Sequence, residues 1–184
     1  YIQGKSYPMP SRDELLDQLA PLRRFFTTFA SYSNATIQDF LSVDQRQKAY
    51  KKAVYTFSST LFENDGKGHF SAIPLPKEAQ FAPINTILVK DLNQDGLLDL
   101  ILGGNNYHER AQTGYQNALH GLILLGDAKE RFRVITSVES GFHTPLEIRD
   151  LNWIQTEQGT LLLAGINNKP VKTWQVKTYL GRRN

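Results

Sequence analysis

The feature that most constrains the fold is an internal repeat in the C-terminal two-thirds of the chain. Three landmarks recur in the same order, and they pair 62–70 with 124–132, 89–93 with 148–152, and 98–106 with 160–168. Tandem units of about 60 residues are typical of propellers and other repeated β arrays. The repeat predicts a first unit over about 54–117, a second over about 118–171, and a partial strand over 172–184.

Within these units the local pattern is that of short strands. Apolar runs alternate with clusters of Gly, Asn, Asp and Pro, and no strong helical pattern lies between them. The predicted strands cover 53–57, 86–89, 97–102, 119–125, 132–135, 160–164 and 173–176. Residues 54–184 are therefore predicted to be β-propeller-like, with two to three tandem blades, and the chain as a whole to be mainly β.

Residues 1–53 carry a helical pattern instead. Ser11 and Glu14 form a capping-box sequence, and Ser42 with Gln45 forms another that opens a helix reaching about Ala53. Behind the first box, apolar residues recur at spacings of three and four, at Leu15, Leu16, Leu19, Leu22, Phe25, Phe26 and Phe29. Pro21 interrupts this face and is expected to kink or split the helix. We expect this N-terminal helical segment to pack on a neighbouring surface, with a dedicated partner-binding role as the alternative.

An acidic loop in the first unit indicates a metal site. Oxygen ligands at alternate positions of a tight loop suit a cation of the size of calcium, and a glycine at position six permits the sharp turn. Gly96 holds that position. The predicted ligands of one Ca²⁺ are the side chains of Asp91, Asn93, Asp95 and Asp99 and the backbone carbonyl of Leu97.

The residues around this loop favour a strand-loop-strand site over an EF-hand. An EF-hand needs a bidentate Glu at position twelve, where this chain has Leu102, and the flank 97–102 is strand-like. An Asx-rich hairpin without metal is the alternative. The matching segment of the second unit keeps only Asp150 and Asn152, so a single calcium ion is expected.

The segments 64–70 and 91–99 together resemble one blade of the FG-GAP (VCBS-like) repeat family, the blades of integrin-α-type propellers. The segments 6–15 and 75–80 are similar to the C-terminal part of Bacteroidetes-type surface proteins that also carry an ASPIC/UnbV module. The resemblance spans about residues 55–176, with the helical part as an insertion. The family's calcium ligands match those named above, and the departure is the degenerate second unit.

This resemblance implies a secreted or outer-membrane-associated protein whose propeller is a rigid, non-catalytic scaffold for adhesion to a protein or glycan ligand. Because a closed propeller takes about 4–8 blades, the chain is expected to be part of a longer propeller. Two alternatives stay open, a glycan-active propeller enzyme and a purely structural cap of a longer array.

The connection that follows the calcium loop is the most polar and aromatic in the chain. It runs over 103–117, and its candidate ligand-binding residues are Asn106, Tyr107, His108 and Arg110. A solvated loop without a ligand is the alternative. The four histidines of the chain, at 69, 108, 120 and 143, have no metal-ligand spacing and lie near no nucleophile motif.

Composition excludes several other classes. The chain has no cysteine, which excludes disulfides, thiol nucleophiles and zinc sites built on thiolates. Its net charge of +3 comes from scattered basic residues, so no nucleic-acid partner is expected. The sequence has no apolar run of about 18 residues, and no membrane-spanning segment is predicted.

Overall fold

A computed structural model describes residues 3–109, 114–129 and 131–176. The chain divides into two compact units, Tyr1–Tyr55 and Thr56–Asn184. Each unit has its own hydrophobic core. No helix among the described residues is both long and apolar enough to cross a membrane.

The first unit is built from short helices. They are α1 (Arg12–Gln18), a 3-10 turn (Ala20–Arg24), α2 (Phe29–Ser33), α3 (Ile37–Phe40) and α4 (Val43–Lys48). The two predicted capping boxes are confirmed at the starts of α1 and α4. Two further boxes, which open α2 and α3, were not predicted.

The expected split of the helix near Pro21 is confirmed, but the apolar spacing predicted for residues 15–29 does not form one helix face beyond α1. Because α1 ends at Gln18 and Pro21 lies in a 3-10 turn, the helical period does not continue to Phe29. Phe25 and Phe29 are exposed, whereas Phe26 is buried against the ring of Phe40 at a centroid distance of 4.6 Å. The last helix also ends at Lys48 rather than near residue 53, so the described helices are all short.

The second unit confirms that the chain is mainly β, with nine strands among its described residues. They are β1 (Thr60–Asn64), β2 (Phe70–Pro74), β3 (Ile84–Lys90), β4 (Asp99–Gly104), β5 (Leu122–Asp127), β6 (Arg131–Ile135), β7 (Ile148–Thr156), β8 (Gly159–Ile166) and β9 (Lys172–Gln175). They form three antiparallel sheets in the orders β1-β2, β3-β4-β5-β6 and β7-β8-β9. None of these sheets closes on itself as described. A 3-10 turn (Lys77–Gln80) and helix α5 (Ser137–Ser140) lie in the connections before β3 and β7.

Three of the strand predictions need correction. Residues 53–57 form no strand, and Val54, Tyr55 and Phe57 are largely exposed, because no neighbouring strand pairs with them in the described structure. Strand β4 begins at Asp99 rather than at residue 97, since the turn at Gly96 holds the two leucines that follow it in the loop. Strand β5 begins at Leu122 rather than at residue 119. The remaining predicted runs overlap β3, β6, β8 and β9, whereas β1, β2 and β7 lie outside the predicted runs.

The sheets do not follow the boundaries predicted for the two units. The β3–β4 hairpin, inside 54–117, joins the β5–β6 hairpin, inside 118–171, through the pairs Leu100↔Leu124 and Leu102↔Leu122. One four-stranded sheet therefore combines the second half of the first predicted unit with the first half of the second. Strands β1 and β2 form a separate two-stranded sheet.

The repeat itself is visible in the strand registers. In β1–β2, Phe62 lies opposite Ala72, and in β5–β6, Leu124 lies opposite Val134, which is the same pair displaced by 62 residues. The hairpins β3–β4 and β7–β8 share a register shift at their open ends, between Ile84 and Thr86 in one and between Ile148 and Asp150 in the other. A backbone hydrogen bond of 3.0 Å closes both ends, from Asn105 to the carbonyl of Pro83 and from Asn167 to that of Glu147.

The four-stranded sheet is covered on both faces. One face carries Ile101, Ile123 and Leu125 and packs on the three-stranded sheet. The other face carries Leu102 and Leu124 and contributes to a second core with Leu75, Ala79 and Ala82. A strand that is buried on both faces needs apolar residues at successive positions, which explains the continuous run Leu122–Leu125.

An ion pair joins the two-stranded sheet to strand β6. Arg131 donates from Nη1 and Nη2 to the two carboxylate oxygens of Glu63, at 2.8 and 2.9 Å. These hydrogen bonds, and then the charge of the guanidinium, lower the pKa of Glu63 from its ordinary value of 4.5. The stabilisation is therefore complete above that value and is lost as the pH falls through the lower pKa of the folded state. Both side chains are about half exposed, so solvent screening keeps the effect small.

Candidate functional site

The acidic loop joins two antiparallel strands, as its flanks predict. Residues 91–98 connect β3 to β4, and Lys90 lies opposite Asp99 where the strands meet the loop. The backbone turns through the left-handed region at Gln94 (φ +60°) and at Gly96 (φ +88°). The predicted role of Gly96 in the sharp turn is therefore confirmed, and the helical flanks of an EF-hand are absent here.

Inside the loop, the predicted ligand side chains accept hydrogen bonds from loop amides. Asp91 accepts from the N–H groups of Asp95 and Gly96 at 3.2 and 3.0 Å. Asp95 accepts from the N–H of Leu97 at 2.8 Å, and its other oxygen accepts from the side-chain amide of Asn93 at 2.8 Å. These bonds hold the three side chains on one turn of chain.

Asp99 has a separate role in the described structure. Its side chain is fully buried, and its two oxygens accept from the backbone N–H groups of Leu92 and Gly126, both at 2.7 Å. One carboxylate thus ties the start of the loop to strand β5. Each carboxylate oxygen has more than one lone pair, so this contact does not test the predicted ligation by Asp99.

The fit of this loop to a cation is incomplete in the described arrangement. Among the residues that the structure describes, no three His, Asp or Glu side chains are grouped so that they hold a metal ion together. The loop amides supply positive dipoles to Asp91 and Asp95 in this arrangement. The calcium site remains a prediction that rests on the residue types, their spacing and the strand-loop-strand geometry.

The β7–β8 hairpin, which is the repeat equivalent of β3–β4, has no loop that corresponds to the acidic loop. This corrects the predicted alignment of the two units. Asp150 and Asn152 lie inside strand β7, opposite Gly165 and Leu163, and not in a connection. Strand β7 passes to β8 through the two-residue turn at 157–158, between the paired residues Thr156 and Gly159. The shared register shift matches Asp150 to Thr86 rather than to Asp91. The match at a spacing of 59 residues was therefore one of residue type and not of position.

Three of the four candidate ligand-binding residues in the polar connection after β4 lie in the described part of the chain. Asn106 forms an isolated bridge with Gln116, and its side chain accepts from the N–H of His108 and donates to Glu109. Tyr107 donates its hydroxyl proton to the carbonyl of Pro145 at 2.7 Å. Arg110 lies outside the described residues. Hydrogen bonds inside the connection thus fix the backbone that carries Tyr107 and His108.

Tyr107 and His108 line a cavity of about 230 Å³. The opposite wall comes from residues just before β7 and from the end of β8 onward. The full lining is Tyr107, His108, Leu146, Glu147, Ile166, Asn167, Asn168 and Lys169. Asn106 is outside this lining and positions its neighbour instead. The structure therefore brings two of the predicted residues together with side chains from 38 to 62 residues further along the chain.

Glu147 is the buried charge of this cavity, and its side chain is only 4% exposed. One oxygen accepts from the side-chain amide of Asn167 at 3.1 Å and lies 3.6 Å from Nε2 of His108. The other oxygen pairs with the guanidinium of Arg149. Glu147 belongs to no sequence motif. The one signal in the sequence is a charged residue before β7–β8 at the position that Pro83 holds before the equivalent hairpin β3–β4.

Comparison with known proteins adds no relative to this description. No protein-family model matches the chain, and neither a curated protein nor a solved structure matches it. The resemblance to FG-GAP repeats therefore rests on the quoted residues alone.

Proposed function

We propose that the chain is a calcium-stabilised section of an extracytoplasmic β-propeller that binds a protein or glycan ligand without catalysis. The observation that carries the binding role is the buried carboxylate of Glu147 in the wall of the Tyr107–His108 cavity. Binding sites of this kind combine an apolar or aromatic wall with a few fixed polar groups. The extracytoplasmic location rests on the family resemblance.

The propeller proposal is supported by the form of the second unit. Propeller blades are four-stranded antiparallel sheets, and β3-β4-β5-β6 is such a sheet with its strands in chain order. It is covered by apolar residues on both faces, as a blade between two others would be. The hairpins on either side repeat its registers. These features support a series of similar, stacked sheets. In the proposed propeller, further blades would continue that series.

The calcium proposal is supported by residue type and backbone geometry. Asp91, Asn93 and Asp95 place oxygen-bearing side chains at alternate positions of one turn, and Gly96 supplies its left-handed residue. A bound calcium ion would neutralise carboxylates that loop amides now stabilise. Because such an ion binds the folded state only, it would raise the free energy of unfolding.

Thermal unfolding tests the calcium site. In a sample first stripped with a chelator, saturating Ca²⁺ is expected to raise Tm by roughly 5–10 °C, the shift that about 2.7 kcal/mol of ligand linkage gives in a domain of this size. Asp95→Ala should abolish the shift. The matched control is Asp65→Ala in the β1–β2 turn, where the carboxylate likewise accepts backbone N–H groups but is not a predicted ligand. An unchanged Tm in the parent chain would remove calcium from the proposal.

Ligand binding is proposed at the cavity because its polar groups are held in place. Tyr107 and Asn167 are fixed by hydrogen bonds to Pro145 and Glu147, so their positions are set before a ligand arrives. Tyrosine, histidine, asparagine and a carboxylate suit sugar hydroxyls and polar protein side chains alike. Preorganised groups of this kind lose little conformational entropy on binding.

A glycan array followed by calorimetry tests this site, with a panel of surface proteins as the protein arm. Glu147→Gln is expected to weaken binding about tenfold or more, since hydrogen bonds to charged groups contribute about 1.5–3 kcal/mol. The matched control is Glu157→Gln, in the exposed turn of the same hairpin. Equal binding by both variants would place the ligand elsewhere.

A second candidate, a glycan-active enzyme, is favoured by one observation. The structure places the imidazole of His108 beside the buried carboxylate of Glu147, and such pairs serve in general acid-base catalysis. Turnover on a panel of polysaccharides, lost in Glu147→Gln while binding and Tm are kept, would favour the enzyme. Binding without turnover on the same panel favours the scaffold.

A further inference from the structure

A second cavity of about 390 Å³ lies between the four-stranded and three-stranded sheets. Its walls are mainly apolar and include Phe142, Trp153, Trp174 and Val176. The indole N–H of Trp153 is buried and has no hydrogen-bond partner in the part of the chain that the structure describes. A buried donor without a partner is costly, which marks the packing around Trp153 as incomplete in the described structure.

The internal repeat shows what occupies the equivalent space elsewhere. On the other face of the four-stranded sheet, strand β6 contributes Phe132 and Val134 to the core that β1–β2 covers. Strand β6 reaches that position by pairing with β5, where Val134 lies opposite Leu124. In the three-stranded sheet, Trp174 takes the place of Leu124, because Leu162↔Trp174 repeats the pair Leu100↔Leu124. The strand that corresponds to β6 is missing from the described part of this sheet.

The outer edge of β9 carries no neighbouring strand among the described residues, where β9 pairs with β8 alone. The N–H of Val176 donates to Thr160 of β8, so by antiparallel alternation Thr173 and Gln175 direct their backbone groups to the opposite side. Unpaired backbone groups along an edge are a template for one more strand.

We propose that the β9 edge and this cavity form a strand-acceptor site. Its occupant is an extended peptide strand that pairs antiparallel with β9 and inserts alternate apolar side chains beside Trp153 and Trp174. The chemistry of the occupant is that of β6, an aromatic and a β-branched residue two positions apart on one face. This mode of recognition takes affinity from main-chain hydrogen bonds and selectivity from the side-chain pocket. The proposal is independent of calcium and of the Tyr107–His108 cavity.

The probe for this site is a synthetic peptide with the sequence of residues 131–136, Arg-Phe-Arg-Val-Ile-Thr. The chain has two tryptophans, and both line the cavity, so intrinsic fluorescence reports occupancy directly. Addition of the peptide is expected to give a saturable blue shift of the emission. A control peptide with Ser in place of Phe and Val should bind at least tenfold more weakly, because it lacks the groups that fill the cavity.

The edge itself is tested with a matched pair of variants. Thr173→Pro removes an outward N–H donor and should weaken peptide binding at least tenfold, whereas Thr173→Ala keeps the donor and should bind as the parent chain does. Circular dichroism and Tm check that the proline variant folds. A peptide that is N-methylated at alternate residues lacks the backbone donors that would pair with β9, so it too should bind at least tenfold more weakly. Absence of a saturable shift would overturn the proposal. So would equal binding of the control peptide, the N-methylated peptide or, in its folded form, Thr173→Pro.

Discussion

At the scale of single residues, the side chain of Asn105 makes more hydrogen bonds than any other among the described residues. It is fully buried and adopts a left-handed backbone conformation, with φ +81°. Its amide donates to the carbonyls of Leu119, Pro145 and Leu146, and its oxygen accepts from the N–H of Leu119 at 3.0 Å. One side chain therefore satisfies backbone groups of two separate connections.

Replacement of Asn105 is expected to be strongly destabilising. Asn105→Ala leaves several buried backbone groups without a partner and places alanine in a conformation that asparagine tolerates better. We expect a loss of about 2–4 kcal/mol, measured by denaturant unfolding. The matched control is the repeat equivalent, Asn167→Ala, which is half-buried and donates one hydrogen bond to Glu147, so it should lose about 1–2 kcal/mol and less than Asn105→Ala does. A loss at residue 105 no larger than at residue 167 would contradict the role assigned here.

The residue scale also shows which site features a sequence can reveal. Gly96 and the acidic loop were predictable because a turn depends on residues that are adjacent in the chain. Asn105 and Glu147 were not, because their partners lie up to 41 residues away and no local pattern encodes those contacts. The sequence therefore indicated only Tyr107 and His108 among the residues that line this cavity.

At the scale of elements, the space around two equivalent glycines shows where one sheet packs closely on another. Gly103 and Gly165 hold equivalent positions, opposite Thr86 in β3 and Asp150 in β7. A methyl group on Gly103 would lie 2.6 Å from Cγ2 of Ile148, which belongs to the neighbouring sheet. On Gly165 the nearest atom would be 3.7 Å away, at Cβ of Asp150. Only the first glycine has another sheet pressed against it.

These glycines give a paired prediction. Gly103→Ala overpacks the core between two sheets and should reduce the free energy of unfolding by about 1–3 kcal/mol. Gly165→Ala should be neutral or stabilise by up to about 1 kcal/mol, since alanine restricts the unfolded chain and clashes with nothing. Both are measured by denaturant titration. Similar losses at the two positions would argue against the packing of Ile148 on β4.

The positions of helices and strands were predicted better than the pairing of the strands into sheets. Hydrophobic runs located most strands of the second unit, and capping boxes located the starts of α1 and α4, because both signals are local. The apolar run at 53–57 failed because a strand exists only where another strand pairs with it. For the same reason the repeat indicated the period correctly but divided the sheets at the wrong hairpin.

At the scale of the whole molecule, the two compact units are connected by a stretch of chain that forms no helix or strand. Residues 50–57 contain three strongly exposed aromatic residues, Tyr50, Tyr55 and Phe57. Exposed backbone outside regular structure is the preferred substrate of proteases. The β unit has its own cores, so we expect it to stay folded when this stretch is cut.

Limited digestion with chymotrypsin is therefore expected to cut first after Tyr50, Tyr55 or Phe57. The product should be a resistant fragment that contains β1 to β9, identified by mass spectrometry. Phe62 and Phe70 serve as an internal control, because they are more than half exposed but lie in paired strands. First cleavage at either of these would show that the β1–β2 hairpin opens more readily than the segment before it.

The common register of β1–β2 and β5–β6 has a consequence for how such chains change in evolution. Both hairpins place equivalent residues opposite each other at a spacing of 62. Unequal recombination between their coding sequences would add or remove one whole period and leave every side chain on its own face of the sheet. Gene duplication can therefore lengthen the array without changing the residues of its cores. A crossover displaced by one codon would instead move every side chain of a strand to the opposite face of the sheet.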